Sequence, residues 1–315
     1  MNNKTKITLL AAVAVALIGI FVFVDLGSSW RYVLPRRAMK ILAIVLTGSA
    51  IAFSSMIFQT VTNNRILTPS VLGLDSLYML IQTFIIFMYG SAQVSSFSKN
   101  MNFIISVGLM VMFAGILYKL LFKREGRNLF FLLLIGLVMG TLFRSMSTFM
   151  QVIMDPNEFL IVQDRMFASF NNVNTDLVIV SIIAFAAIGI YFTRFSKYMD
   201  VMSLGREHAV NLGVPYNLVV RRMLIIVVIL VSISTALVGP ITFLGLLVVN
   251  VTYQMFKTYQ HKVMIPAAML ISIIALVGGQ MIVERVFTFA TTLSVIINFI
   301  GGVYFIYLLL KENKS

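Results

Sequence analysis

The 315-residue chain lacks cysteine and has few charged side chains, and both shortages limit the class of protein it can be. The absence of cysteine excludes disulfides, thiolate metal sites and a cysteine nucleophile. Only 11% of the residues are charged and 60% are hydrophobic, whereas soluble domains carry about 25% charged residues. So little polar surface cannot cover a water-soluble globule, and we therefore expect a membrane protein.

Common catalytic and nucleotide-binding signatures are also missing. The sequence contains no G-x-x-x-x-G-K-[ST] phosphate loop and no H-E-x-x-H motif, so the chain does not bind ATP through that loop. No Ser, His and Asp set can be placed together at membrane depth. We predict no catalytic residue, no metal ligand and no directly bound cofactor. Transport against a gradient would take its energy from another polypeptide or from an ion gradient.

Acidic residues are scarce, and basic residues outnumber them 24 to 11. The basic residues are scattered among short loops, as in a membrane protein that retains positive charge on its cytoplasmic side, so we expect no nucleic-acid partner. No Asp, Glu or His is expected near the middle of an apolar run. This absence argues against a proton-driven carrier, because a proton relay needs titratable groups at membrane depth.

Ten apolar segments are candidates for membrane-spanning helices, each of which needs about 20 apolar residues. We predict spans at 7–24, 38–58, 70–89, 101–122, 129–153, 175–195, 219–238, 241–256, 263–283 and 290–310. The eighth is the weakest because it is short and follows Gly239-Pro240. No small-x-small cleavage site follows the first, so we expect a retained helix. The predicted fold class is an all-α polytopic membrane protein with one domain over 1–315.

Basic residues also predict the orientation, since cytoplasmic loops are enriched in Lys and Arg. With the N-terminus inside, the 24 basic residues divide into 16 inside, seven outside and Arg144 within the fifth span. Four of the outer seven lie in the first outer loop, which is the main exception. Both termini are therefore predicted to be cytoplasmic, with loop 154–174 outside and loop 196–218 inside.

Residues 196–222 are more polar than most of this chain, and their pattern is typical of short helices at the membrane surface. Ser203 can cap a helix start by accepting a backbone N–H bond. Gly213 can adopt the left-handed conformation that ends a helix, and Pro215 can open a second short helix. Short helices at the water interface indicate a surface presented to a soluble partner.

Two features of the spans each allow two interpretations. The second span contains Thr47-Gly48-Ser49-Ala50 and Ser54-Ser55, which indicates either close helix packing or a polar wall beside a substrate path. Arg144 lies about 15 Å of helix below the outer end of its span. A charge at that depth either faces a water-filled cavity or a partner, or extends toward the outer headgroups.

Three motifs occur in the order and spacing of one known family. They are TGSAIAFSSMIFQTVTNNRILTPSVLGLDSL at 47–77, LGREHAVNLGV at 204–214 and VGPITFLGL at 238–246. Together they resemble FecCD-type permeases, the membrane subunits of ABC importers for iron siderophores, haem and cobalamin. The resemblance extends from about residue 30 to 311.

Two of the motif segments depart from the usual family pattern. Asn64-Arg65 replaces the usual Asn-Pro, and Val248-Val249-Asn250 replaces the usual V-P-H. The NRILTP run at 64–69 resembles a subgroup that serves catechol-type siderophores, such as petrobactin or anguibactin. Which siderophore is carried, or whether haem or cobalamin replaces it, stays open.

The resemblance implies a type II ABC importer permease in the bacterial cytoplasmic membrane. Two permease chains, identical or homologous, would form the pore, two ATPase subunits would dock below, and an extracytoplasmic binding protein would deliver ferric siderophore. The segment 196–222 would carry the ATPase-coupling residues Leu204, Gly205, Arg206, Glu207, His208, Ala209, Leu212 and Gly213. The predicted translocation path includes Arg144, Asn250, Ser54 and Gln59.

Two other classes remain as alternatives. An ion-coupled secondary transporter would need a coupling-ion site, usually near broken helices at the membrane midplane. An integral-membrane enzyme should show a polar catalytic cluster near an interface. Neither class accounts for the cytoplasmic LGREHAVNLGV segment.

The predicted orientation is testable by cysteine labelling, because the native chain contributes no cysteine background. An impermeant thiol reagent applied to whole cells should label Asn172→Cys and spare Asn211→Cys. The opposite labelling pattern would overturn both the orientation and the family resemblance.

Overall fold

The computed structural model describes residues 2–24, 30–96, 99–121, 129–171 and 173–312. The predicted inner charges Lys123, Arg124, Arg127 and Lys314, and the labelling position Asn172, lie outside these ranges. Within them the chain is helical and contains no β-strand. A short 3-10 helix covers Pro69–Leu72, and the α-helices are α1 (Asn3–Phe23), α2 (Trp30–Thr62), α3 (Leu74–Ser96), α4 (Lys99–Leu121), α5 (Leu129–Val152), α6 (Pro156–Arg165), α7 (Thr175–Thr193), α8 (Ser196–Met202), α9 (Arg206–Asn211), α10 (Tyr216–Val238), α11 (Leu244–Met255), α12 (His261–Arg285) and α13 (Leu293–Glu312).

Seven helices of the described chain are long and apolar enough to cross a membrane, namely α1, α2, α4, α5, α7, α10 and α12. Three shorter apolar helices lie at Leu74–Gly90, Leu244–Met255 and Leu293–Tyr307. Each of the ten predicted spans coincides with one of these helices. The helical architecture is therefore confirmed, whereas ten complete crossings and the cytoplasmic position of both termini stay predictions.

The central helix of the bundle is α2. Its segment 41–61 is buried almost throughout and contacts α10, α11 and α12. A Cβ atom on Gly48 would lie 2.9 Å from Leu276 Cδ1 of α12, and one on Gly245 of α11 would overlap Ser55 Oγ. At these positions the small residues of the second span therefore allow close helix packing.

Two interruptions place helix starts in the interior of the bundle. A Cβ on Gly73 would lie 2.8 Å from the carbonyl oxygen of Gly136 and 3.0 Å from Gly140 Cα, both on α5. These glycines lie roughly 10–16 Å along α5 from its start. Because α3 begins at that depth, Asp75 in its first turn lies beside the middle of α5, although it is not near the middle of its own predicted span.

The other interruption precedes α11. This helix has 12 residues, which span about 18 Å, less than the roughly 30 Å thickness of the hydrocarbon core. The predicted shortness of the eighth span is thus confirmed. Gly239 before it has a φ of 103° and lies against the outer loop, where a Cβ would be 3.0 Å from Ala168 Cα.

The loop 154–174, which was predicted to lie outside, contains a helix, α6, that was not predicted. The Asp155 carboxylate accepts a hydrogen bond from the Asn157 N–H at 2.9 Å, and Pro156 is the first helical residue. Asp followed by Pro is a helix-start signal and was available in the sequence. At the other end of α6, Arg165 donates to the side chain of Gln82 on α3, which fastens the loop to the spans.

Two basic residues of the first outer loop have structural partners, which explains part of the exception to the charge rule. The Arg37 guanidinium donates to the carbonyl oxygen of Val24, after the end of α1, at 2.5 Å. Lys40 Nζ lies 2.6 Å from Glu284 Oε1 on α12, with side-chain exposures of 16% and 17%. This ion pair joins α2 to the C-terminal end of α12.

The contact between the 3-10 helix and α5 can be tested with a matched pair of glycines. A Cβ on Gly136 would lie 2.9 Å from Leu72 Cα, a backbone atom that cannot move aside, whereas Gly115 on α4 has no atom within 4 Å. We expect Gly136→Ala to destabilise the protein by about 1–3 kcal/mol. Gly115→Ala should be neutral or stabilise by up to about 1 kcal/mol.

Thermal unfolding in detergent measures both variants. Equal melting temperatures for Gly136→Ala and Gly115→Ala would contradict the close packing at Gly136.

Candidate functional site

The segment predicted to couple to a partner forms two short helices, α8 and α9, between α7 and α10. The predicted start was wrong, because Ser203 caps no helix. Its hydroxyl instead donates to the carbonyl oxygen of Asp200 at 2.6 Å, at the end of α8. α9 starts one residue after Gly205, without a side-chain cap.

Glycines with left-handed backbone conformations flank α9. Gly205 has a φ of 92° and Gly213 a φ of 79°, values that residues with a Cβ rarely adopt. The N–H of Gly213 bonds to the carbonyl of Val210 at 2.9 Å, and the N–H of Val214 to that of Ala209 at 3.0 Å. This is the Schellman pattern, which ends the helix where the sequence predicted. α9 is therefore a short element of fixed length.

Pro215 precedes a long helix, which corrects the prediction of a second short helix after it. α10 runs over Tyr216–Val238, so the residues at 216–222 form its first turns. No glycine or proline interrupts 216–238. The segment between the long helices therefore ends at the Schellman turn.

The two short helices bury one face and expose the other. The buried side chains are those of Met199, Met202 and Ala209. The exposed apolar residues are Leu204, Val210 and Leu212, at 56%, 50% and 64% exposure. Ala209 thus cannot offer the surface contact predicted for it, because at 0% exposure it packs inward. Val210, which was not predicted, occupies the exposed position next to it.

Polar residues surround these exposed leucine and valine side chains. Arg206, Glu207 and His208 are all exposed, and the Arg206 guanidinium lies 5.9 Å from the centre of the Tyr216 ring. An exposed apolar patch with a polar rim is typical of a protein interaction site. We call the exposed surface of Leu204, Arg206, Glu207, His208, Val210 and Leu212 the α9 surface.

Arg144 lies on a face of α5 that is exposed in the single chain. Three exposed hydroxyl residues follow the same helical stripe, Thr141, Ser145 and Thr148. Within the described residues Arg144 forms no ion pair. A guanidinium facing lipid is unfavourable, so this face is suited to water or to another protein.

The other three predicted path residues lie inside the chain, with exposures of 0% for Ser54, 2% for Gln59 and 7% for Asn250. Ser54 donates to the carbonyl of Ile51 at 3.0 Å, and Asn250 to that of Arg65 at 3.0 Å. Neither amide atom of Gln59 has a hydrogen-bond partner in the described structure. The fold therefore does not bring these three residues to the exposed face of α5.

A small cavity lies at the interruption before α11, with room for about one water molecule. Its oxygen-bearing lining residues are Ser54, Ser55, Thr68, Ser70, Asp75, Thr235 and Thr242. Thr242 Oγ1 lies 3.5 Å from Asp75 Oδ2. The cavity is too small for a chelated metal complex. The described residues contain no group of three or more His, Asp or Glu that could hold a metal ion.

Comparison with known proteins identifies the family. The FecCD transport family matches residues 27–311. The chain belongs to this family. The petrobactin import system permease protein YclO of Bacillus subtilis (strain 168) is 67% identical over 315 residues, covering all of both chains. The petrobactin import system permease protein FatC of Bacillus anthracis is 36% identical over 311 residues, covering 98% of this chain and 88% of FatC.

A solved structure supports the same fold. It is an inward-facing conformation of a metal-chelate type ABC transporter, with a TM-score of 0.83 at 20% identity, covering 98% of this chain and 100% of that one. The resemblance drawn from the three motifs is therefore confirmed, including the petrobactin subgroup. The chain is a FecCD transport permease and a multi-pass protein of the cytoplasmic membrane.

Proposed function

We propose that this chain is the permease subunit of an ATP-driven importer that carries a ferric siderophore of the petrobactin class into the cytoplasm. The observation that carries the proposal is the full-length, 67% identity to a permease named for petrobactin import. FatC, the other relative described above, is named for the same siderophore. The subunit itself contributes the membrane path, and a separate ATPase chain hydrolyses ATP.

The α9 surface is the proposed docking site for that ATPase. Three apolar side chains at 50–64% exposure would be unfavourable in water, and burying the exposed part of each against a partner would contribute about 1–2 kcal/mol. Arg206 and Glu207 supply polar contacts at the rim. Because hydrogen bonds within α9 and at its end hold it together, a force applied to it would move the helix as a unit.

The exposed polar stripe of α5 is the proposed wall of the translocation path. A second permease chain, identical or homologous, would face this stripe and close the path between the two subunits. Water between the chains would then solvate Arg144, whose positive charge would attract an anionic ferric siderophore. Ser54, Gln59 and Asn250 would contribute only if the chain rearranged during transport, since all three are buried.

An extracytoplasmic binding protein is the proposed source of the siderophore. Exposed basic and aromatic residues at the start of α2 offer it a contact surface. The Arg36 guanidinium lies 4.1 Å from the centre of the Tyr32 ring, and that of Arg31 lies 5.6 Å from the Trp30 ring. Stacking holds these cations in place for acidic groups on a partner.

Co-purification tests the proposed function most directly. The tagged chain, isolated in mild detergent, should bring an ABC ATPase with it, and cells expressing the complex should take up radioiron-loaded petrobactin. Isolation without an ATPase, combined with uptake that a collapsed ion gradient abolishes, would favour the ion-coupled alternative.

Gly205→Glu tests the docking site. We expect it to abolish uptake and to prevent ATPase recovery, because a charged side chain would enter the interface beside Leu204. The chain should still insert in the membrane.

Gly205→Ala is the matched control, since its Cβ imposes the same strain at a φ of 92° without the added charge. It should retain more ATPase recovery than Gly205→Glu. Normal ATPase recovery and normal uptake by Gly205→Glu would show that the ATPase docks elsewhere.

Arg144 variants test the translocation path. Arg144→Lys should keep much of the uptake, because a point cation suffices to attract an anion, whereas Arg144→Met should lose it at equal membrane abundance. Uptake is measured with radioiron-loaded petrobactin. Full uptake by Arg144→Met would show that Arg144 has no role in the path and only extends toward the outer headgroups.

A further inference from the structure

A hydrogen-bonded cluster joins α8 to two long helices, with the His261 side chain buried and that of Asp200 33% exposed. His261, the first residue of α12, is 5% exposed. Its Nδ1 lies 2.7 Å from Asp200 Oδ1 on α8, and its Nε2 lies 2.8 Å from Thr60 Oγ1 on α2. The imidazole thus connects three helices through side chains alone.

The same carboxylate also binds the start of α12. Asp200 Oδ1 accepts the backbone N–H of His261 at 2.8 Å, while the residue before α12, Gln260, provides no side-chain cap. A helix start leaves backbone N–H groups that need an acceptor, and a negative charge there is favourable. α8 therefore supplies a cap that α12 lacks in its own sequence.

The position of the cluster separates it from the α9 surface. Asp200 precedes Gly205 by five residues, and its carboxylate hydrogen-bonds the first residue of α12. The other contacts of α8 include the buried methionines Met199 and Met202, whose unbranched side chains adapt to sliding. Hydrogen bonds to a carboxylate are directional and roughly twice as strong as neutral ones. The Asp200 contact is thus the part of this packing that resists a change of register.

We propose that Asp200 and His261 are positioning residues that transmit movement of the ATPase-docked α8–α9 segment to α12 and α2. The inference rests on the proposed docking of the ATPase at the α9 surface. When α9 moves, Asp200 moves with α8. Its two hydrogen bonds to His261 pull the start of α12 along, and the bond between His261 and Thr60 pulls the end of α2. Without the link, α8 would slide on its methionines and the long helices would stay behind.

The test uses the complete importer, purified through a tag on this chain and reconstituted with its binding protein in vesicles. The variants are Asp200→Ala, His261→Ala and the double variant, with Lys197→Ala as the control. Lys197 is an exposed residue on the same helix, and its ammonium group lies 5.0 Å from the centre of the Tyr198 ring. Four quantities are measured: ATPase recovery, basal ATP hydrolysis, its stimulation by the loaded binding protein, and uptake of radioiron-loaded petrobactin.

We expect Asp200→Ala and His261→Ala to retain ATPase recovery and basal hydrolysis but to lose stimulation and about tenfold or more of the uptake. The double variant should be no worse than either single one, because the two residues act through one link. Lys197→Ala should behave as wild type. Asp200→Asn keeps the shape and an acceptor oxygen but not the charge, so its uptake should be intermediate.

Several results would overturn the inference. Normal uptake by Asp200→Ala would show that the link transmits nothing. If Asp200→Ala loses both ATPase recovery and uptake, Asp200 shapes the docking surface and does not transmit movement. Failure of both Asp200→Ala and Asp200→Asn to assemble would assign the cluster to folding. If Gly205→Glu keeps its ATPase and its uptake, the docking site itself is wrong. If Gly205→Glu fails as expected and Asp200→Ala transports normally, only the link is wrong.

Discussion

The structure depends on one constraint: inside a bilayer every backbone N–H and C=O group must find a partner within the protein. Helices meet this requirement along their length, but a helix that starts in the interior leaves unpaired N–H groups. The chain tolerates two such starts, at α3 and α11, by surrounding them with protein. Glycine makes this possible where Gly73 lies on Gly136 and where Gly245 lies on Ser55.

Much of this architecture follows from the sequence alone. Long apolar runs are unambiguous, so all ten predicted spans coincide with helices, and Gly213 ends α9 where it should. Three short motifs sufficed to indicate the family. These features share a local origin, since each depends on residues that are neighbours in the chain.

Errors arose where tertiary packing decides the outcome. The inward position of Ala209 and the outward position of Val210 depend on where α9 begins, and Gly205 rather than Ser203 sets that start. The placement of Asp75 beside the middle of α5 was not predicted, because it depends on a 3-10 helix that packs there, a contact between residues more than 60 positions apart. The link from Asp200 to His261 likewise joins distant segments, and neither residue belongs to a recognisable spacing.

The polar stripe of α5 also has a consequence for an unassembled copy of the chain. A lone subunit would expose the Arg144 guanidinium to acyl chains, at a cost of about 2.5–3.5 kcal/mol if it stayed near the bilayer centre. Pairing with the proposed second permease would remove that cost by replacing lipid with water and protein. Arg144 would therefore make a solitary subunit unfavourable in the bilayer. The membrane would then favour equal amounts of the two permease chains.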